Sequence, residues 1–278
     1  MQTNIVRSLT AVATMCFTLV STAKADVVLP QTLNYSDNAV TASIQVTDTI
    51  AVDLSIEFEK VVGLNPETLT ISAEMLTPNA LSITERLNSL LVSPTTAFPV
   101  VVSITPDPDS GFAFEGVATV ELYTKAIHYT PDLPLRLFTS HADGTFTDMT
   151  TLVSAGSIRA RGNTGKFSDF MIMLDTRTPA NIVSDKVSDI ESFLSLHGNL
   201  IQPVTLAAIE HSMTLLSFAV SDQDFDSALE EVDSLISLIN AAPAGAMPDV
   251  WQASDTLVNV EGELKSKFSS LRYALRVM

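Results

Sequence analysis

The stretch "DFMIMLDTRTPANIVSDKVSDIESFL", residues 169–194, changes its hydrophobic period in the middle. Before Asp175, Phe170, Ile172 and Leu174 alternate with Met171 and Met173. A period of two places alternate side chains on opposite faces of a strand. After Pro179, Val183, Val187, Ile190 and Leu194 are spaced by 4, 3 and 4, the stripe of an amphipathic helix. The switch falls near residue 178, and the chain reads differently on its two sides.

On the N-terminal side alternation dominates. Val40, Ala42, Ile44 and Val46 form one series, Leu54, Ile56 and Phe58 a second, Leu69, Ile71, Ala73 and Met75 a third, and Ala118, Val120 and Leu122 a fourth. One-sided alternation is the pattern of antiparallel sheets with one solvated face. Turn signals separate the runs at Asp37-Asn38, Gly63 to Pro66, Pro78-Asn79, Pro106 to Gly111, Pro131 to Pro134 and Asp143-Gly144. Ser82 to Leu91 reads as a short helical turn or a loop crossing between sheets, and Lys60, Lys125 and the prolines are available to protect sheet edges.

On the C-terminal side three more stripes follow. They are Leu206, Ile209, Met213, Leu216 and Val220; then Phe225, Leu229, Val232, Ile236 and Ile239; then Ala253, Leu257, Val260, Leu264, Phe268, Leu271 and Leu275. Gly198 and Pro203, the acidic turn at Asp222, and Pro243, Gly245 and Pro248 break them apart. The pattern predicts a segregated α+β chain: an antiparallel β-sandwich over 26–178, then a four-helix up-down bundle over 179–278.

Residues 1–25 read as a signal peptide, with Arg7 in a basic n-region, LTAVATMCFTLV as the apolar segment, and Ala23-Lys24-Ala25 before cleavage at Asp26. The apolar run is shorter than the roughly 20 residues a membrane span needs. The expectation is an exported chain, periplasmic or extracellular, with no membrane span in its mature part. Cys16 is the single cysteine and lies in the leader, where Met15 and Ala13 do not suit lipidation. The mature chain then has no disulfide, thiolate metal site or cysteine nucleophile.

The 32 acidic and 15 basic residues give a net charge of −17. Residues 26–178 carry 18 acidic and 8 basic side chains, and residues 179–278 carry 14 and 5, so the excess is spread along the chain. Nucleic-acid binding requires a basic footprint, which this composition lacks. The charge suits either solubility outside the cell or attraction of cations and cationic partners.

"GNTGK", residues 162–166, invites a phosphate-loop reading. Such a loop needs glycine where Ala160 stands, a hydroxyl where Phe167 stands, and a following helix. Strand patterns flank it instead, so Gly162 and Gly165 are expected to allow positive φ in a hairpin closing the sandwich. Arg159, Arg161 and Lys166 form a small basic group, paired with Asp169 and other carboxylates or holding an anion. Asp222, Asp224 and Asp226 have the opening spacing of a calcium loop, with Asp233 at position twelve, but Ser227 replaces its glycine. Helix capping is the competing account. Asp107 and Asp109 in "PDPDSGFAFEG" are either calcium ligands or an ordinary turn. His128, His141, His197 and His211 have no close zinc spacing, and no serine sits in a G-x-S-x-G elbow. Trp251, the sole tryptophan, is expected to pack in a core or between the domains near the start of the last helix.

Three resemblances follow from particular residues. Gly156, Ser157, Arg159, Gly162, Gly165, Phe167 and Ser168 resemble the closing strands of exported bacterial β-sandwich proteins of unknown function. "AFPVVVSITPDPDSGFAFEGVATVELYT" is similar to a strand pair of sandwich domains of the ankyrin and netrin-receptor type. Asp224, Ala228 and Leu229 match the start of the third helix of FIMAH-like bundles, which end some bacterial extracellular proteins. None of these resemblances implies a catalytic residue. The expectation is a non-enzymatic binding or scaffolding protein for an extracytoplasmic protein or glycan, with no catalytic, cofactor-binding or metal-ligating residue assigned. The alternatives are a carboxylate-dependent enzyme acting on glycans at the domain junction, and a calcium-binding module.

Overall fold

The computed structural model describes residues 26–77, 80–130, 133–154 and 156–278. The expected leader lies outside them, as do Pro78-Asn79 and Pro131 of the expected turns. In chain order the strands are β1 (Val27–Val28), β2 (Thr32–Tyr35), β3 (Ala39–Gln45), β4 (Ala51–Val62), β5 (Leu69–Met75), β6 (Val92–Pro94) and β7 (Val100–Pro106). They continue as β8 (Ala113–Tyr129), β9 (Leu135–Ser140), β10 (Thr147–Asp148), β11 (Thr150–Ser154), β12 (Gly156–Thr164), β13 (Asp169–Asp175) and β14 (Val250–Gln252). The helices are α1 (Leu81–Thr84), α2 (Pro179–His197), α3 (Pro203–Ser221), α4 (Phe225–Asn240) and α5 (Val260–Arg276).

The strands form two antiparallel sheets in a mixed α+β fold. The first runs β1-β5-β7-β13-β9-β10 with β6 also on β13; the second runs β11-β12-β8-β4-β3-β2 with β14 also on β8. Alternation decides the inner faces. Ile44, Leu54 and Val120 of the second sheet share one apolar core with Ile71, Val102 and Ile172 of the first. Removing each such aliphatic side chain from water contributes roughly 1.5–3 kcal/mol. Met171 and Met173, on the opposite face of β13, are also buried, with Phe138 and Phe146 beneath the segment around α1. That segment joins β5 to β6 within one sheet, so it does not cross between sheets. Lys60 and Lys125 lie on interior strands β4 and β8, away from the sheet edges.

The GNTGK segment differs from its sequence reading. β12 pairs with β8 and β11 in the second sheet, whereas β13 pairs with β9, β7 and β6 in the first. Residues 165–168 therefore carry the chain across the core from one sheet to the other, and no hairpin forms. Neither Gly162 nor Gly165 has a positive φ. Both are small for close approach: a Cβ on Gly162 would overlap the Met149 carbonyl, and one on Gly165 would lie 2.6 Å from the Glu263 backbone nitrogen.

Local chemistry starts the helices where the period switches. The Thr178 hydroxyl accepts from Asn181 N, and Pro179 fills the first turn of α2, where a missing N–H costs nothing. Asp224 caps α4 and Asn259 caps α5. The four long helices share a second core containing Val183, Ile190, Ile209, Val232, Leu264 and Phe268.

The last stripe is shorter than its spacing suggests. Ala253 and Leu257 precede α5, and the chain ahead of them returns to the second sheet as β14, pairing Trp251 with Phe114 of β8. Trp251 is 4% exposed and packs among Phe112, Phe114 and Phe167, with ring centroids 5.5–6.4 Å away. The helices are thus not fully segregated from the strands. A three-residue strand offers too few positions for alternation to register.

Candidate functional site

Among the described residues, two polar surfaces bring chemistry-bearing side chains together. The first is the outer face of the second sheet. Cross-strand register aligns Ser43, Asp53, Tyr123 and Arg159 in one row across β3, β4, β8 and β12. Thr41, Ser55, Glu121 and Arg161 form the adjoining row. These are the outward partners of the alternating core positions, and side chains opposite one another across paired strands interact directly.

Arg159 and Arg161 both grip Glu121. The contacts are Arg159 Nη1 to Oε1 at 2.5 Å, and Arg161 Nη2 and Nε to Oε2 at 2.7 and 3.0 Å. Glu121 is 8% exposed, so this pairing satisfies a nearly buried carboxylate. The Arg159 guanidinium also stacks 5.2 Å from the Tyr123 ring centre. Ser43 donates to Asp53 Oδ1 at 2.5 Å. Between these groups lies an open depression of about 440 Å³, lined by Thr41, Ser43, Asp53, Ser55, Tyr123 and Arg159. Within these two rows Asp53 and Glu121 balance Arg159 and Arg161 in formal charge, on a protein of charge −17.

The second surface is a cleft of about 290 Å³ where β9 and β10 meet α2 and α5. Its anchor is Asp148, whose Oδ2 receives Lys186 Nζ at 2.9 Å and Arg136 Nη1 at 3.1 Å. Thr150 donates its hydroxyl to Oδ1 at 2.6 Å and its backbone N–H at 2.9 Å. Burial alone would raise the Asp148 carboxyl, but Lys186, Arg136 and Thr150 outweigh it and hold the group at about 2. Burial in turn pushes the Lys186 ammonium down, against the pull of Asp148. Lys186 also donates to Ser270 Oγ at 2.6 Å, and Ser270 donates to the Asp148 carbonyl at 3.1 Å. In this arrangement the lysine donates a hydrogen bond to the serine oxygen, the reverse of a base accepting the hydroxyl proton of a nucleophile.

The remaining carboxylates of the cleft also face lysines: Glu263 meets Lys166 at 3.2 Å and Asp189 meets Lys267 at 2.5 Å. Beside them, Asn259 closes the contact between sheet and helix. Its Oδ1 accepts from Gly262 N at 2.8 Å, and its Nδ2 donates to the carbonyls of Gly116 at 2.7 Å and Gly165 at 3.3 Å. A side chain on Gly262 would overlap the Gly116 carbonyl. The junction therefore combines ion pairs, a shared helix cap and close backbone approach.

The candidates read from sequence are dispersed. Lys166 stands at the junction, away from Arg159 and Arg161, and its partner is Glu263. Asp169, the expected partner of the basic group, binds Arg86 at 2.8 Å and Ser103 at 2.7 Å. Asp224 accepts from Ser227 N at 3.2 Å as a helix cap, Asp222 ends α3, and Asp233 pairs with Arg272 at 2.6 Å. Asp107 accepts from Asp109 N at 3.0 Å within a tight turn. His141 bridges the Phe167 carbonyl at 2.7 Å and Asp255 at 2.9 Å. His197 stacks near Phe193, with burial and then Lys166 lowering its pKa. His128 and His211 are exposed.

Sequence reasoning passed over Thr41, Ser43, Asp53, Ser55 and Tyr123, because alternation marks them only as solvent-facing. No curated protein and no solved structure matches the chain. A family model described as a family of unknown function, DUF6689, matches residues 11–278, and the chain belongs to that family.

Proposed function

We propose that the protein is an exported, non-enzymatic binding module that holds a glycan across the outer face of its second sheet. The observation that carries this reading is the pair of side-chain rows, which balances in formal charge and offers Ser, Thr, Asp, Tyr and Arg groups around a shallow depression. A sugar presents hydroxyls that both donate and accept, and a C–H face that suits an aromatic ring. Asp53, Ser43 and Ser55 are placed for the hydroxyls, and the Tyr123–Arg159 stack supplies a firm wall. The enzymatic alternative needs a carboxyl held protonated near neutral pH, whereas Asp148 is pulled the other way. The calcium alternative needs Asp224 free, whereas it caps α4.

Residues 1–25 serve as a signal peptide, and the mature protein begins at Asp26 in the periplasm or outside the cell. N-terminal sequencing of the protein recovered from outside the cytoplasm checks this, and an intact Met1 there would sink it. The helical part is an up-down four-helix bundle of FIMAH-like kind, with short turns after α2 and α3 and a long return through β14 before α5.

The test of glycan binding is a glycan array followed by calorimetry on the hits. Tyr123→Ala and Asp53→Ala should each weaken binding at least tenfold while leaving the melting temperature within a few degrees. An array without hits, or hits indifferent to both substitutions, would end this assignment.

A further inference from the structure

The helical part has an open seam. α3 packs mainly on α4 and α2 mainly on α5, so α2 and α3 stand apart along much of their length. The Ser217 hydroxyl spans the gap, donating to Glu191 Oε1 at 2.7 Å. Around it lies a groove of about 700 Å³. Leu194 and Met213 form its floor, Phe218 stands at its lip 66% exposed, and Glu191 and Glu210 form its rim.

α3 itself is unusual for a surface helix. Glu210 is its only acidic residue and it has no lysine or arginine, so it is long and apolar enough by composition to cross a membrane, yet only 17% of that apolar window is buried. Val204, Ala208, His211, Leu215 and Phe218 recur at spacings of 4, 3, 4 and 3 on its exposed side. That is the stripe by which one helix packs on another, left without a partner among the described residues, and its C-terminal member Phe218 is the one that also lines the groove.

The surrounding charge specifies the partner's chemistry. Residues 187–264 contain thirteen aspartates and glutamates and no lysine or arginine. A second copy docked here would set Glu210 and this acidic stretch against themselves. A helix with an apolar face and basic flanks would instead bury Phe218 above the floor of Leu194 and Met213 while meeting Glu191 and Glu210. We propose that the α2–α3 seam is a docking groove for a basic amphipathic helix of a partner protein. From Glu210 to Ser221 the groove runs roughly 16 Å along α3, room for about three helical turns. The site is separate from the sheet face, so neither proposal depends on the other.

The test titrates the full protein into a labelled 14-residue peptide of leucine and lysine at helical spacing, read by fluorescence anisotropy. A peptide with glutamate in place of lysine serves as the counterpart. Saturable one-to-one binding of the lysine peptide alone is expected. Phe218→Asp should weaken it at least tenfold, as should the pair Glu191→Lys and Glu210→Lys. The pair Asp37→Lys and Glu67→Lys, exposed on the sandwich with the same charge change, should alter it less than twofold. Since Phe218 and Glu210 are exposed, these variants are expected to fold, and unchanged circular dichroism checks that. Equal loss from the remote pair would reduce the effect to general charge attraction and overturn the proposal. Indifference to Phe218→Asp would do the same. So would a concentration-dependent dimer, or adsorption to phosphatidylcholine vesicles, that Phe218→Asp abolishes.

Discussion

The two faces of the helical part are built in opposite ways. Where α2 and α5 meet the sheets, Asp148, Lys186, Arg136, Ser270 and Asn259 form a closed set of directional contacts, and glycines let the backbones approach. Where α2 faces α3, an open groove has Leu194, Met213 and Phe218 as its apolar lining, and the Ser217–Glu191 hydrogen bond reaches across it. Buried polar groups are costly to leave unpaired, so the first interface tolerates one geometry. Apolar contacts carry no such directional demand, so the second can be completed by another chain. The difference teaches that this protein fixes the helices on the sheets and leaves its open groove on the far side.

Removing Lys186 is the strongest way to break that contrast. Lys186→Met leaves the Asp148 carboxylate buried with Arg136 as its remaining cation, and should lower stability by about 3 kcal/mol in urea unfolding. Adding Asp148→Asn to it should recover much of the loss, because the charge that lacks a partner is then gone. A loss below about 0.5 kcal/mol would mean that the junction is held by packing alone.

Acid sharpens the same comparison. The folded Asp148 carboxyl titrates at about 2, below its unfolded value near 3.9. Its contribution, about 2 kcal/mol, is therefore complete above pH ~4 and lost as pH falls toward 2. Asp148→Asn should flatten that part of the stability curve relative to the parent protein. The smallest effect belongs to the open seam: Phe218→Ser should change unfolding stability by less than about 0.5 kcal/mol, since an exposed ring contributes little to the folded state. A larger loss would show that Phe218 is part of the core rather than a free lip.

Much of the architecture was legible because it rests on local period. Val40, Ala42 and Ile44 announce an inward face, and Val183, Val187 and Ile190 announce a helical stripe. Thr178-Pro179 marks the boundary between the two periods by its capping chemistry. Partnership was less legible. β12 and β13 have the same alternation whether they pair with each other or belong to opposite sheets. Trp251 sits in a strand too short to alternate. Arg159 and Arg161 reach a carboxylate 38 and 40 residues away in sequence, which neighbouring residues do not indicate. The row of Ser43, Asp53, Tyr123 and Arg159 exists only once four strands are in register.

β14 has a consequence for anyone dividing the protein. A chain ended at residue 178 lacks Trp251, and the aromatic group of Phe112, Phe114 and Phe167 loses one of its walls. It also lacks α5, which packs on β8, β11 and β12. Such a fragment would emerge from expression with sticky aromatic surface and unguarded strand edges, a recipe for inclusion bodies. During synthesis the sheets must likewise wait for more than seventy further residues before the tryptophan arrives, so the nascent chain carries uncovered aromatic surface throughout that interval.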